Sequence, residues 1–373
     1  MGKLIGKLEG HKHNVNGVQI LQDGTILSFS NDNTLRKWSQ DGKLITVFEG
    51  HTSGVSCVKQ LPDGRIISCD DASNICLWDN SGSLLKNSRG SFVDLCSFDD
   101  GRILWWPRDA QFLVLADKDL NGTKFLTKGH KQAVKGCIIL KDGRLLSWSL
   151  DKTLCLWDQE YNPVNVLKGH KDSVAGAVVL PNGNFLSWAF EKDNAMRMWD
   201  NDGKPQKNLL QGHTGRVTGV DVFPDGRILS WAGDEYSSKD NTLRLWDSAG
   251  KIIVVMDEHK AMVRGAEILS DGKILSWSND KTLRLWDNSG VQLSVMEGHS
   301  SPIKGVKVLP DGRIISWDAE FPQQLYIWSK EGKLLQKIEG DPDSGISDVA
   351  VLSNDRVVTY YCGDEYIAMW DVS

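Results

Sequence analysis

The sequence repeats itself, and that constrains its fold more than any single residue does. Gly-His or Glu-His pairs place histidine at 11, 51, 130, 170, 213, 259 and 299, and each is followed twelve residues later by the Asp or Asn of an Asp/Asn-Gly pair. Trp-Asp or Trp-Ser then closes each unit, at Trp38-Ser39, Trp78-Asp79, Trp157-Asp158, Trp199-Asp200, Trp246-Asp247, Trp286-Asp287 and Trp328-Ser329. Two degenerate units complete the series. One runs through Asp100-Gly101 to Ala116-Asp117, without histidine and with Ala where Trp is expected, and the other through Asn354-Asp355 to Trp370-Asp371. The nine units fall at approximately 1–39, 40–79, 80–117, 118–158, 159–200, 201–247, 248–287, 288–329 and 330–373.

Within a unit, runs such as Val306-Lys307-Val308, Ile314-Ile315-Ser316-Trp317 and Leu283-Arg284-Leu285-Trp286 have the period of two of half-buried strands. Asp-Gly or Asn-Gly separates the first run from the second, as a tight hairpin connection requires. Four strands per unit result, and no long 3.6-residue period calls for helix. The chain reads as all-β. A four-stranded unit of this size cannot cover both faces of its own sheet, so neighbours must stack on one another.

Composition sets the class of molecule. Apolar residues make up 40% and charged residues 25%, too apolar for a disordered chain. A net charge of −6 argues against the basic field that sequence-independent nucleic-acid binding needs. The longest aliphatic run, Ile252 to Met256, is far short of the roughly 20 residues that cross a bilayer. The opening Met1-Gly2-Lys3-Leu4-Ile5-Gly6 lacks a secretory apolar stretch, so a cytoplasmic address is expected. Seven cysteines, with no Cys-x-x-Cys pair, read as small buried hydrophobes and not as a disulfide framework.

The period, the Gly-His near the start and the Trp-Asp near the end resemble the WD-repeat family over essentially the whole chain. The resemblance implies a single β-propeller spanning 1–373, with nine four-stranded blades around a central channel, or eight ordered blades if the third unit is distorted. Gly2-Lys3-Leu4-Ile5 up to Glu9-Gly10-His11 repeats Gly42-Lys43-Leu44-Ile45 up to Glu49-Gly50-His51. The first segment is therefore an outer strand without its own unit, expected to complete the ninth blade. Trp148, Trp188, Trp231, Trp277 and Trp317, with Phe29 and Tyr360, recur just after the second-strand Ser or Thr. Such rings between neighbouring sheets favour a larger blade number.

His, Ser, Asp and Trp recur together as His11, Ser28, Asp32, Trp38; His130, Ser147, Asp151, Trp157; His170, Ser187, Asp193, Trp199; His213, Ser230, Asp240, Trp246; and His259, Ser276, Asp280, Trp286. Five copies are too many for a catalytic nucleophile, which needs one accessible setting. A buried network that fixes blade geometry is needed once per blade, and the family's structural tetrad has this composition. No catalytic residues are assigned. His-Glu-x-x-His, Gly-x-Ser-x-Gly and phosphate-loop patterns are absent, and Asp117 to Gly122 imitates a calcium loop but has Lys128 at its twelfth position. Neither metal nor cofactor is implied.

Loops between second and third strands carry insertions with acid and aromatic residues together: Phe190-Glu191, Asp234-Glu235-Tyr236, Asp318 with Glu320-Phe321, and Asp364-Glu365-Tyr366. Such pairs suit a binding rim. Five residues after each histidine stands a position that the resemblance makes a contact site at the channel mouth. It reads Asn16, Ser56, Lys135, Ala175, Thr218, Arg264 and Lys304, with Asp94 and Ser347 in the units lacking histidine and Arg216 nearby. Positive charge gathers on units four to eight, as an acidic or phosphorylated segment would require. The expectation is a non-catalytic scaffold, monomeric by itself, that binds one or more proteins or peptides and neither nucleic acid nor membrane. An enzyme, or a glycan or small-molecule binder using the channel, is the alternative.

Overall fold

A computed structural model describes the chain except residues 1–2, 191–192, 234–239, 321–322, 340–344 and 354, and except the side chains of Asn208 and Cys362. Among the described residues there are nine four-stranded antiparallel sheets and no helix. The first blade shows the plan: strands Val15–Ile20, Ile26–Ser30, Thr34–Trp38 and Leu44–Glu49 pair in chain order. Subsequent blades span 55–89, 94–126, 134–167, 174–210, 217–256, 263–296 and 303–339.

The Asp-Gly pairs sit in tight hairpin connections, as the sequence suggested. Residues 21–25 separate the first two strands, with Gly24 N–H donating to Leu21 O (2.8 Å) and Leu21 N–H to Thr25 O (2.9 Å). Gly24 takes φ +76°, which the turn needs and a side chain resists. Asp23 Oδ1 accepts the Thr25 N–H at 3.0 Å, so Asp precedes Gly for a separate reason: its carboxylate caps the turn.

The chain resolves into two compact units. The first comprises Met1–Arg108, Val114–Lys124 and Lys304–Ser373, and the second Asp109–Leu113 and Phe125–Ile303. Within each unit the core lies between successive sheets, not inside any one of them. In the first, Leu27, Leu35 and Phe48 pack with Val55, Ile66 and Trp78 of the next sheet. Ile315, Leu325 and Ile327 meet Ile346, Val349 and Val357 in the same way. In the second, Leu146 and Leu156 meet Val174, Phe185 and Trp199. Leu186 and Met198 meet Val217 and Trp246, and Leu229 and Leu245 meet Val263 and Trp286. Each blade is stable because its neighbour removes its second face from water.

The ninth sheet is built from both ends of the sequence. Lys3–Leu8 pairs with Ile367–Asp371, from Lys3 opposite Asp371 to Leu8 opposite Ile367, and the order runs on to Arg356–Cys362 and Gly345–Ser353. Leu8 is 2% exposed and packs with Ile26, Trp38, Val358 and Met369.

The third repeat forms a regular sheet with short strands, so the eight-blade alternative falls. Its missing Trp is compensated by transfer to another strand. Ile103 faces Ala116 where the first blade has Ile26 facing Trp38, while Trp105, at the place of Ser28, is buried opposite Val114. A bulky second-strand ring thus stands where the tetrad serine would be, and small Ala116 takes the usual place of the third-strand ring.

Candidate functional site

The five expected tetrads form. Trp38, Trp157, Trp199, Trp246 and Trp286 each donate the indole N–H to Ser28, Ser147, Ser187, Ser230 and Ser276 Oγ at 2.8–2.9 Å. The same hydroxyls lie 2.8–2.9 Å from Nε2 of His11, His130, His170, His213 and His259. Nδ1 of those rings meets Asp32, Asp151, Asp193, Asp240 and Asp280 at 2.7–3.3 Å. A single arrangement of protons satisfies all four groups: indole N–H to Ser Oγ, Ser O–H to Nε2, and Nδ1–H to carboxylate. It requires a neutral imidazole. Burial holds His11, His170 and His213 below 6.5, against the opposing pull of their aspartates. Asp32 would be raised by burial, yet hydrogen bonds from Thr34, Lys12 N–H and His11 bring it to about 2.

These groups share the composition of a hydrolase triad and cannot act as one. All five serines are 0% exposed, and each hydroxyl already accepts an indole proton. The tetrads are joints.

A sixth tetrad escaped the sequence reading because its acid is displaced. Trp78 Nε1–H donates to Ser68 Oγ at 2.7 Å, His51 Nε2 meets the same oxygen at 2.6 Å, and Nδ1 meets Asp70 Oδ2 at 3.1 Å. Asp70 lies two residues beyond Ser68, still on the strand, where the other tetrads take their acid from the following turn. Asp318 occupies the same place relative to Ser316 and is 0% exposed. It is therefore a buried strand residue, not the rim acid expected from its neighbours. In the ninth blade, Trp370 Nε1–H donates to Thr359 Oγ1 at 2.9 Å.

The position five residues after each histidine has a specific backbone. Pairing passes from Val15 to Gly17, Val55 to Cys57, Val134 to Gly136, Val174 to Gly176, Val217 to Gly219 and Val263 to Gly265, and skips Asn16, Ser56, Lys135, Ala175, Thr218 and Arg264. Ser347 is skipped likewise in the ninth blade. Each is the extra residue of a β-bulge, which bends the strand and re-aims a side chain. The third sheet has no bulge there; Asp94 pairs with Trp106 and binds Lys59 at 2.9 Å.

In four of the bulged blades a glycine and an aromatic residue face each other beside the bulge. Gly136, Gly176, Gly219 and Gly265 stand opposite Trp148, Trp188, Trp231 and Trp277, and the rings lie so close that a Cβ on any of these glycines would be 2.0–2.2 Å from Cζ2. Trp148, Trp188 and Trp231 also pack into the cores shared with the next sheet, as the sequence suggested.

The second unit carries the expected cations on this edge. Lys135 is exposed at its bulge, Arg264 Nε donates to Asn279 Oδ1, and the Arg216 guanidinium sits 4.4 Å above the Phe190 ring. That stack joins the fifth and sixth blades and holds the guanidinium plane against an aromatic face. In the first unit Lys304 Nζ donates to Ile346 O at 2.6 Å. Asp364 and Tyr366 are half-buried. Asp364 O accepts Val15 N–H (2.8 Å), while Tyr366 contacts Tyr361 (5.8 Å) and lies under Lys7 Nζ (3.9 Å). Tyr366 is thus committed to packing within its own chain. Glu191, Asp234, Glu235, Tyr236 and Phe321 lie outside the described residues.

Comparison with known proteins follows the same pattern. No curated protein matches the chain. Over its full length it is similar to the crystal structure of the computationally designed Ika8 protein, at 20% identity and TM-score 0.63, covering 99% of this chain and 100% of that one. It is also similar to the WD40 β-propeller domain of Doa1, at 22% identity and TM-score 0.48, covering 100% of this chain and 97% of that one. The model of the WD domain, G-beta repeat, matches residues 2–39, 42–79, 122–158, 161–200, 203–247 and 250–287. Those segments include all six described His-Ser-Asp-Trp networks in full, and they exceed half of the sequence: the chain belongs to the WD40-repeat β-propeller family, whose members generally serve as protein-interaction scaffolds and not as enzymes.

Proposed function

We propose that this protein is a non-catalytic scaffold that holds a partner protein by an acidic or phosphorylated segment. Lys135, Arg216 and Arg264 of the second unit supply the cationic contacts, with Phe190 buttressing Arg216. The observation that carries the reading is the repeated bulge: the same backbone device recurs from blade to blade while its residue changes from Asn, Ser, Ala and Thr to Lys135 and Arg264. A constant frame with a variable side chain is what a recognition surface needs. Arginine adds paired donors that fit carboxylate or phosphate oxygens.

The test is binding of a pool of acidic peptides, with and without phosphoserine, to wild type and to Arg216→Glu plus Arg264→Glu. Losing charge-assisted hydrogen bonds worth about 1.5–3 kcal/mol each should weaken binding at least about tenfold. Melting should be unchanged. Equal binding by the two proteins refutes the proposal.

A further inference from the structure

In the second blade the glycine and aromatic pair is replaced by two thiols. Cys57 on strand Val55–Gln60 stands directly opposite Cys69 on strand Ile66–Asp70, at the places held by Gly136 and Trp148 in the fourth blade. Their sulfurs reach successive carbonyls of the same segment, Cys57 Sγ to Val93 O at 3.9 Å and Cys69 Sγ to Phe92 O at 3.6 Å. Ser56 Oγ, on the bulge, lies 3.8 Å from Cys69 Sγ. Directly opposed strand residues hold their Cβ atoms about 4.5–5.5 Å apart. A disulfide needs about 3.5–4.5 Å. The bulge supplies the slack to close that gap, because the strand is not locked to its partner at Ser56.

We propose that Cys57 and Cys69 are a redox modification site, converted by hydrogen peroxide to a reversible cross-strand disulfide beside the bulge of the second blade. Cys57 is half-buried and Cys69 is 2% exposed, so the oxidant, little larger than water, approaches from the Cys57 side. The contact with Cys57 holds the Cys69 thiol below the usual thiol range, and the same contact pushes the Cys57 thiol up. Cys69 is therefore the thiolate that reacts first. Its sulfur attacks peroxide, an S–O bond forms as O–O breaks, and the leaving hydroxide takes up a proton as water. Cys57 Sγ then attacks Cys69 Sγ. An S–S bond forms as S–O breaks, and hydroxide leaves with the Cys57 proton as a second water. Two thiols lose two electrons and one peroxide becomes two waters. Cys76 and Cys155, which burial pushes up to about 12, are internal controls that should stay reduced.

The experiment treats the full chain with graded hydrogen peroxide, then unfolds it in alkylating reagent and maps tryptic peptides 44–59 and 66–86. Fragmentation between Cys69 and Cys76 assigns the linkage. The expected result is a Cys57–Cys69 link that dithiothreitol reverses. In Cys57→Ser the reaction should stop at a sulfenic acid on Cys69, trapped by dimedone, and in Cys69→Ser Cys57 should remain free. Recovery of both thiols at peroxide doses that oxidise Cys76 or Cys155, or a link formed only with Cys96, overturns the proposal. The wild-type map decides whether or not the variants fold.

Discussion

The ring of Trp188 lies against its cross-strand partner Gly176 so closely that a methyl group on the glycine would sit 2.2 Å from Cζ2 and 2.7 Å from Cε2 and Cη2. Gly176→Ala should therefore destabilise the protein by about 1–3 kcal/mol, the usual cost of overpacking. Trp188→Val removes the obstruction. In denaturant titrations of both single variants and the double variant, the losses should be sub-additive, with a coupling of about 0.5–3 kcal/mol. Additive losses would show that ring and glycine are independent.

Ser147 accepts from Trp157 and contacts His130 Nε2, and all three are buried. Ser147→Ala strands two polar groups at once, each at about 1–3 kcal/mol, so a total of about 2–6 kcal/mol is expected by urea denaturation. A loss below about 0.5 kcal/mol, typical of a surface change, would contradict the role assigned to the network.

The network also sets an acid limit. Burial depresses His11, His51, His170 and His213 below 6.5, so protons bind the unfolded chain more readily than the folded one. Their contribution to stability is complete above pH 6.5 and is lost as pH falls through the depressed values. Asp32, at about 2 against an ordinary 3.8, adds a second loss as pH falls from 3.8 towards 2. Stability measured from pH 8 downward should be flat, then decline below 6.5, then decline again. A rise in stability between pH 6.5 and 5 would reverse the sign worked out here.

Deleting residues 3–8 exposes the pairing edge of Ile367–Asp371 and removes Leu8 from its core. The melting temperature should fall well below that of a variant lacking only Ser373, and a synthetic peptide of residues 3–9 should raise it again. Identical melting of the two truncations would contradict a structural role for the added strand.

Much of this architecture could be read from spacing alone. Histidine and turn keep a fixed distance, and tryptophan closes the unit, because each blade repeats one geometry, and Gly2 to His11 matches Gly42 to His51 closely enough to assign the ninth blade's outer strand. What escaped reading was register. Gly17, Gly136, Gly176, Gly219, Gly265 and Gly305 all stand six residues after a histidine, yet a glycine shows its purpose only once the ring twelve residues further on is found to cover it. The Asp70 tetrad was hidden for a similar reason: its carboxylate reaches His51 from the strand instead of the turn, so distance in space is conserved while distance in sequence is not. Tyr366 and Asp318 look like surface chemistry in a string of letters. Packing makes one a support for Lys7 and the other a core acid.

The pairing of Lys3–Leu8 with Ile367–Asp371 has a cost during biosynthesis. At about 5–20 residues per second, the ribbon of residues 3–8 waits roughly 20–70 seconds for its mate to be translated. Throughout that interval Leu4 and Ile5 remain part of an apolar edge with open hydrogen-bonding groups, and a crowded polysome offers the same edge on adjacent nascent chains. Strand exchange between two unfinished copies is then the competing outcome.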